Sequence, residues 1–240
     1  LTGPKHIAFI MDGNGRWALK QNKPRFYGHE AGMDKIEQVC NWCKDFDVHI
    51  GSFYAFSKEN WKRPQSEVNF ILSLIEKYYK QKLETLNKNN IKFIHIGDKK
   101  ELPPKTLSCI SILEKETENN DSFYLLFYFN YSSRAELDRA ALLLSEYIVK
   151  NDINLQAVNS NTDINLSLSQ FLYTKNFPDP DLLIRTSGEQ RISNFLLYQL
   201  AYTELYFEPQ LWPEFTRKHF EKAIKSYQKR DRRFGGLKGS

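Results

Sequence analysis

The chain has little cysteine and no long apolar run, and each shortage closes off a class of protein. Its 240 residues include only three cysteines, Cys40, Cys43 and Cys109. So small and odd a set argues against a secreted disulfide scaffold. Cys40 and Cys43 have C-x-x-C spacing, but no further ligands are spaced to complete a zinc site. They fall inside an amphipathic helix pattern and not at a strand-to-helix opening, so both read as core thiols. No stretch reaches the roughly 18 apolar residues of a spanning helix. The net charge is +5, yet no run of lysines and arginines forms a basic arm. RNP, helix-turn-helix and zinc-finger patterns are missing as well, so nucleic acid is not an expected partner. Neither a Walker A loop nor G-x-G-x-x-G occurs, and no internal repeat is present. The only low-complexity stretch, residues 151–165, is rich in Asn and Asp and reads as a surface insertion. The first residue is Leu1, which leaves a targeting segment undecided.

What is present suits one sizeable α/β domain spanning residues 1–240. Hydrophobic residues make up 41% and charged residues 26%, enough for a core that needs neither disulfide nor metal. Short apolar runs predict strands over 6–12, 48–57, 92–98, 124–131, 181–187 and 203–207. Between them lie stripes of helical period: Met33, Ile36, Val39, Cys40 and Cys43; Val68, Ile71, Leu72, Ile75, Tyr78 and Tyr79; and Phe215, Phe220, Ala223, Ile224 and Tyr227. Alternation of strand and helix predicts a mostly parallel sheet flanked by helices.

In such sheets ligands sit beyond the carboxyl ends of the strands, so the residues after each strand carry the chemistry. The first predicted strand ends in Asp12-Gly13-Asn14-Gly15-Arg16-Trp17. Glycines admit a close backbone approach, their amides can face phosphate oxygens, Asp12 can hold Mg²⁺ and Arg16 can neutralise a phosphate. A tight turn with a solvated arginine is an even alternative at this point. Arg25, Gly28 and His29 precede a helix, whose start favours anions. The second strand runs into Ser57, Glu59, Asn60, Trp61 and Arg63, where Asn60 can orient a proton relay and Trp61 can pack on hydrocarbon. The fifth ends in Arg185, followed by Gln190, Arg191 and Ser193, a second anion cradle in which each charge-assisted bond is worth roughly 1.5–3 kcal/mol. Pairing of an arginine with Glu189 is the plain structural alternative. Glu204 lies in an apolar run, where a carboxylate needs a partner such as a metal. Two anion cradles, two acids and much apolar lining fit two diphosphates that carry hydrocarbon tails.

The segments HIAFIMDGNGRWA, FYGHEAG, FYAFSKENWKRP, FNYSSRAE, DLLIRTSGEQRISNFLLYQLAYTELYF and LWPEF closely resemble, in order and spacing, the cis-prenyltransferases, whose members make undecaprenyl or dehydrodolichyl diphosphate. The resemblance runs through nearly the whole chain. It implies an enzyme that condenses isopentenyl diphosphate with an allylic diphosphate, farnesyl or geranylgeranyl, into a long cis-polyprenyl diphosphate for lipid-carrier synthesis. It implies Mg²⁺ at Asp12 with Glu204 as second acid, and an allylic cradle of Gly13, Asn14, Gly15, Arg16, Arg25 and His29. Asn60 matches the residue that assists proton removal, with Ser57, Trp61 and Arg63 around it. Arg185, Arg191 and Ser193 match the isopentenyl diphosphate cradle. It further implies an apolar tunnel between the sheet and two helices, for which the stripe over 68–79 and the strand over 124–131, with Phe127, Tyr128 and Phe129, are the candidate walls. The tail over 232–240 holds Arg233-Phe234-Gly235, which matches an Arg-x-Gly motif of self-sufficient homodimers. The aspartate-rich DDxxD motif of the trans-acting class is missing.

Two departures stand out. Ser132-Ser133 replaces a frequent glycine pair, which makes a shifted loop an open reading. Gln190 replaces the histidine of many bacterial members, a form that some eukaryotic members share. That form points to a eukaryotic source, while the few cysteines and the lack of a spanning run make the cytoplasm the expected location, with peripheral contact at the endoplasmic reticulum membrane or an organellar site left open. The rival function is a non-catalytic partner subunit, disfavoured because Asp12, Arg16, Asn60 and Arg185 are all retained.

Overall fold

The computed structural model describes residues 3–153 and 166–230. All six predicted strands form: β1 (His6–Ile10), β2 (Ile50–Ser57), β3 (Ile91–Ile96), β4 (Phe123–Tyr131), β5 (Leu182–Arg185) and β6 (Glu204–Phe207). The helices are α1 (Asn14–Lys20), α2 (Tyr27–Asp45), α3 (Gln65–Lys88), α4 (Pro104–Glu116), α5 (Ser133–Lys150) and α6 (Arg217–Gln228). The sheet order is β3-β4-β2-β1-β5-β6, and every pairing is parallel. The predicted α/β class with a parallel sheet is what folds. Most of residues 151–165, and all of 232–240 with Arg233 and Gly235, lie outside the described residues.

Strands covered on both faces read as continuous apolar runs, and β1 is buried at every position. Alternation divides it between two cores. Ile7 and Phe9 join α2, α3 and α6 on one face, while Ala8 and Ile10 join Phe195 and Leu196 on the other. The same alternation settles β4. Phe127 and Phe129 face the α2–α3 side, and Tyr128 faces the opposite core with its hydroxyl near Ser52. Tyr128 is therefore not a wall of the α2–α3 side, a correction that a period of two imposes. Cys40, Cys43 and Cys109 are buried and free, and burial raises their thiol pKa values, in keeping with core thiols.

The chain starts in the middle of the sheet, builds β2, β3 and β4 to one side, and then crosses to β5 and β6 on the other. The order reverses between β1 and β5, and a crevice opens outside the carboxyl ends of strands at such a switch point. Ile10 pairs with Arg185, and Arg185 with Phe207, so the ends of β1 and β5 deliver Asp12 and Arg185 to one place.

Candidate active site

The loop after β1 is set by local sterics. Gly13 has φ +108°, and a Cβ there would lie 2.9 Å from Leu211. Gly15 is overlain by the Arg25 guanidinium, 2.9 Å from where a Cβ would stand. These two glycines make room for Leu211 and Arg25. Gly28 lets α2 cross α1, since its Cβ would fall 1.8 Å from the Asn14 carbonyl oxygen. The carbonyl of Asp12 accepts from Thr186 Oγ1 at 2.7 Å and from the Trp212 amide at 3.0 Å. The Asp12 backbone is thus fixed from two neighbouring segments.

Arg185, 3% exposed, is the hub. Its Nη2 donates to Asp12 Oδ2 at 2.9 Å, and its Nη1 donates to the Arg191 carbonyl at 2.5 Å and to Ser193 Oγ at 2.7 Å. Its Nε has no protein partner, nor does the buried Asn14 Oδ1. Buried polar groups are almost always bonded, so both atoms suit a polar ligand. Arg16 Nη2 lies 3.4 Å from Asp12 Oδ1 and also donates to Ser187 Oγ. Burial opposes ionisation of Asp12, but the hydrogen bond and charge of Arg185, with Arg16 and Ser187, outweigh it and hold the carboxyl below its ordinary value of 3.8. Glu189 pairs with both Arg16 and Arg191, so the arginine pairing weighed from sequence is present.

A polar cavity of about 310 Å³ opens here. Nine predicted site residues line it: Asp12, Asn14, His29, Ser57, Asn60, Arg63, Arg185, Arg191 and Ser193. Asn60 Oδ1 accepts from the Ser57 amide at 3.1 Å, which ties the loop after β2. Sequence reasoning missed Met11, Tyr54 and Ala55, which also line the cavity, because apolar or aromatic residues at strand ends read as core. It also missed Glu67, which accepts from Arg63 at 2.9 Å and lies 3.4 Å from His29 Nε2. Only the i,i+4 spacing of Arg63 and Glu67 signalled that contact.

Other predicted residues stand elsewhere. Trp61 packs edge-on against Phe56 and donates from Nε1 to Asn130 Oδ1 at 2.8 Å, away from the cavity. Trp17 is half-buried on α1 and Gln190 is exposed, and neither lines the cavity. Glu59 reaches Asn194 at 2.7 Å. Glu204 is not at the polar cavity of its own chain. It begins β6, three residues before the Phe207 that pairs with Arg185, about 10 Å back along the strand. Its partner is Arg230, at 2.6 Å. The expectation was a buried carboxylate that needs a partner such as a metal, and Glu204 is instead half-buried with Arg230, just after α6, as its partner. A single chain does not bring Glu204 and Asp12 to one ion. Among the described residues no group of three or more His, Cys, Asp or Glu side chains is placed to hold a metal. Mg²⁺ is commonly held through one or two carboxylates, waters and substrate phosphates, and Asp12 beside an anion cradle fits that mode.

Behind the polar cavity lie two more, of about 50 Å³ and about 90 Å³. The polar cavity and the first of these share Met11, Asn14, His29 and Ala55 as walls. The two deeper cavities share Met33, Ile36, Ile75 and Phe127. The larger of the two is mostly apolar, with Leu86, Phe93, Ile110 and Leu125 among its walls and Glu37, Lys82 and Thr85 lining it as well. Residues from the stripes of α2 and α3 and from one face of β4 thus line both of these cavities.

The sequence from residue 10 to residue 235 matches the undecaprenyl diphosphate synthase family. An isoprenyl transferase of Clostridium tetani is 44% identical over 234 residues, covering 98% of this chain and 90% of that protein. One from Fusobacterium nucleatum is 46% identical over 239 residues, covering 98% and 97%. Among solved structures, lavandulyl diphosphate synthase from Lavandula x intermedia in complex with dimethylallyl diphosphate superposes with a TM-score of 0.89 at 31% identity, over 98% of this chain and 99% of that one. A probable undecaprenyl diphosphate synthase from Campylobacter jejuni gives 0.78 at 31% identity, over 98% and 100%.

Proposed function

The chain belongs to the undecaprenyl diphosphate synthase family and is a prenyl transferase, and from that premise we propose that it condenses isopentenyl diphosphate with an allylic diphosphate, farnesyl or geranylgeranyl, into a long cis-polyprenyl diphosphate that serves lipid-carrier synthesis. The observation that carries this reading is the set of adjoining cavities, charged at one end and apolar at the other. A diphosphate with a growing hydrocarbon tail has that polarity. Arg185, Arg191 and Ser193 receive isopentenyl diphosphate, while Asn14, Arg16, Arg25 and His29 receive the allylic diphosphate. Asp12 would hold Mg²⁺, which when bound would supply positive charge against the departing diphosphate. The arginines oppose the same charge as it builds. The double bond of isopentenyl diphosphate attacks the allylic carbon as its C–O bond to diphosphate breaks, and the proton then lost passes to the departing diphosphate, with Asn60 and Ser57 orienting the transfer. Incubation with radiolabelled isopentenyl diphosphate, farnesyl diphosphate and Mg²⁺, with the products sized, tests the proposal. A ladder of products is expected, and no incorporation would overturn it. A non-catalytic subunit has no need of Asp12, Asn60 and Arg185 around one cavity, and the matching isoprenyl transferases favour the catalytic reading.

Product length follows from the apolar end. Each buried methylene gains about 0.8 kcal/mol, so the tail threads inward until the walls stop it. Phe127 borders both inner cavities. Phe127→Ala is expected to lengthen the product, while Tyr128→Phe, on the opposite face, leaves it unchanged. Sizing the products of both variants checks this, and an unaltered ladder for Phe127→Ala would remove β4 from length control.

Assembly is proposed to be a C₂ homodimer. Exposed apolar residues support it: Leu142 and Val149 on α5, and Tyr198, Tyr202 and Leu205 around β6, which is an edge strand. Exposed apolar surface of this kind is available for a second chain to cover. A metal role for Glu204 needs that second chain. Deleting residues 232–240, with Arg233 and Gly235, is expected to cut turnover strongly and leave the dimer intact. Sedimentation and activity of the truncated protein check both halves. Peripheral membrane association is proposed for release of so apolar a product. Among the described residues no helix is long and apolar enough to cross a membrane.

A further inference from the structure

The turn that carries Ser193 is strained. Ser193, Asn194 and Leu196 have φ values of +48°, +59° and +50°. Residues other than glycine keep such angles only where the surroundings over-determine them. Here the surroundings are specific. Asn194 Nδ2 donates to Glu59 Oε1 at 2.7 Å and to Ser132 Oγ at 2.8 Å, and Asn194 Oδ1 accepts from the Arg134 amide at 3.0 Å. The Asn194 carbonyl accepts from the Ser133 amide at 3.0 Å, and Ser133 Oγ accepts from the Leu197 amide at 2.8 Å. Ser133 is fully buried and Ser132 nearly so. Tyr54 completes the frame, with its hydroxyl 3.4 Å from the Ser193 carbonyl.

We propose that Asn194 is a positioning residue, anchored by Ser132 and Ser133, that ties the Glu59 loop to the strained turn and so sets Ser193 Oγ against Arg185. The serine pair that replaces glycines at 132–133 contributes hydroxyls to this bridge, and a glycine pair would leave the Leu197 amide and one Asn194 donor without these partners. The inference rests on the function proposed above, in which Arg185, Arg191 and Ser193 receive isopentenyl diphosphate. Asn194 itself lies outside the lining of the polar cavity, so it acts through Ser193 and Glu59.

Asn194→Asp is the decisive substitution. It keeps Oδ1 for the Arg134 amide, removes both donations and sets a carboxylate against Glu59. The KM for isopentenyl diphosphate is expected to rise about tenfold, with the KM for farnesyl diphosphate moving less than about twofold. Adding Glu59→Gln restores the bond with its polarity reversed, the new amide donating to the new carboxylate, and is expected to recover most of the loss. Equal changes in both KM values, no change in either, or no recovery in the double variant would overturn the proposal. Amide hydrogen exchange at residues 193–197 reads the bridge without turnover. It should rise in Asn194→Asp and fall again in the double variant. An inactive wild-type enzyme would defeat the proposed function, while exchange would still decide the bridge. If Asn194→Asp does not fold, Ser132→Ala must show the same KM split at smaller amplitude, and failure to do so overturns the proposal.

Discussion

Asp12→Ala will nearly abolish condensation while both substrates still bind. The carboxylate stands at the end of β1, accepts from Arg185 at 2.9 Å and faces Arg16 at 3.4 Å. It is the acid among the polar-cavity lining residues, and under the proposed function it would anchor Mg²⁺. Removal of one preorganised electrostatic element from a transition state costs about 10²–10³-fold in rate. Each tenfold is about 1.4 kcal/mol of barrier. Asp12→Ala also frees Arg185 and Arg16 from their counter-charge, which leaves more positive charge for diphosphate. Binding measured by calorimetry is therefore expected to persist or tighten while kcat falls. Near wild-type turnover of Asp12→Ala with Mg²⁺ would show that Asp12 has no such role.

The second large effect is expected at Arg185. Arg185→Ala removes the donor to Asp12, Arg191 and Ser193 at once, together with the unpartnered Nε. The kcat/KM for isopentenyl diphosphate should fall by about 10²-fold or more, since two or three charge-assisted bonds of roughly 1.5–3 kcal/mol go together. Arg191→Ala should show a smaller loss on the same substrate, because Arg191 is exposed and shared with Glu189. Arg25→Ala should act mainly on the allylic substrate. Arg185→Lys is not expected to rescue, since an ammonium cannot replace a planar fork of donors. Separate KM measurements decide the matter, and equal effects on both substrates would abolish the division into two cradles.

Arg185 also governs the acid side of the pH response. Asp12 binds its proton less tightly in the folded chain than its ordinary value of 3.8 implies. Its contribution to stability is thus present above that value and is lost as pH falls through the depressed folded value. Asp12 is partly solvated, which keeps the contribution small. Without Arg185 the depression shrinks, and the acid limb of both stability and activity should move to higher pH. Acid titrations of wild type and Arg185→Ala, followed by circular dichroism and by turnover, should show that movement.

Much of this protein is determined by sequence alone. Six apolar runs became six strands, because a strand buried on both faces admits little except apolar residues. The stripes on α2, α3 and α6 fell where a period of 3.6 put them. Asp12, Asn60 and Arg185 were legible because parallel sheets deliver their strand ends to one edge, so position in sequence foretold position in space. Tertiary structure decided the rest. Which face of β4 Phe127 and Tyr128 occupy depends on a one-residue phase that composition does not carry. Glu204 looked like an acid awaiting a metal, and only the packing of α6 on β6 brings Arg230 to it. Trp61 looked like a hydrocarbon contact, yet Phe56 and Asn130 hold it away from the cavity. Asn194 lies 62 residues from Ser132 in sequence, and short-range patterns cannot anticipate hydrogen bonds that exist only once β4, α5 and the turn after β5 meet.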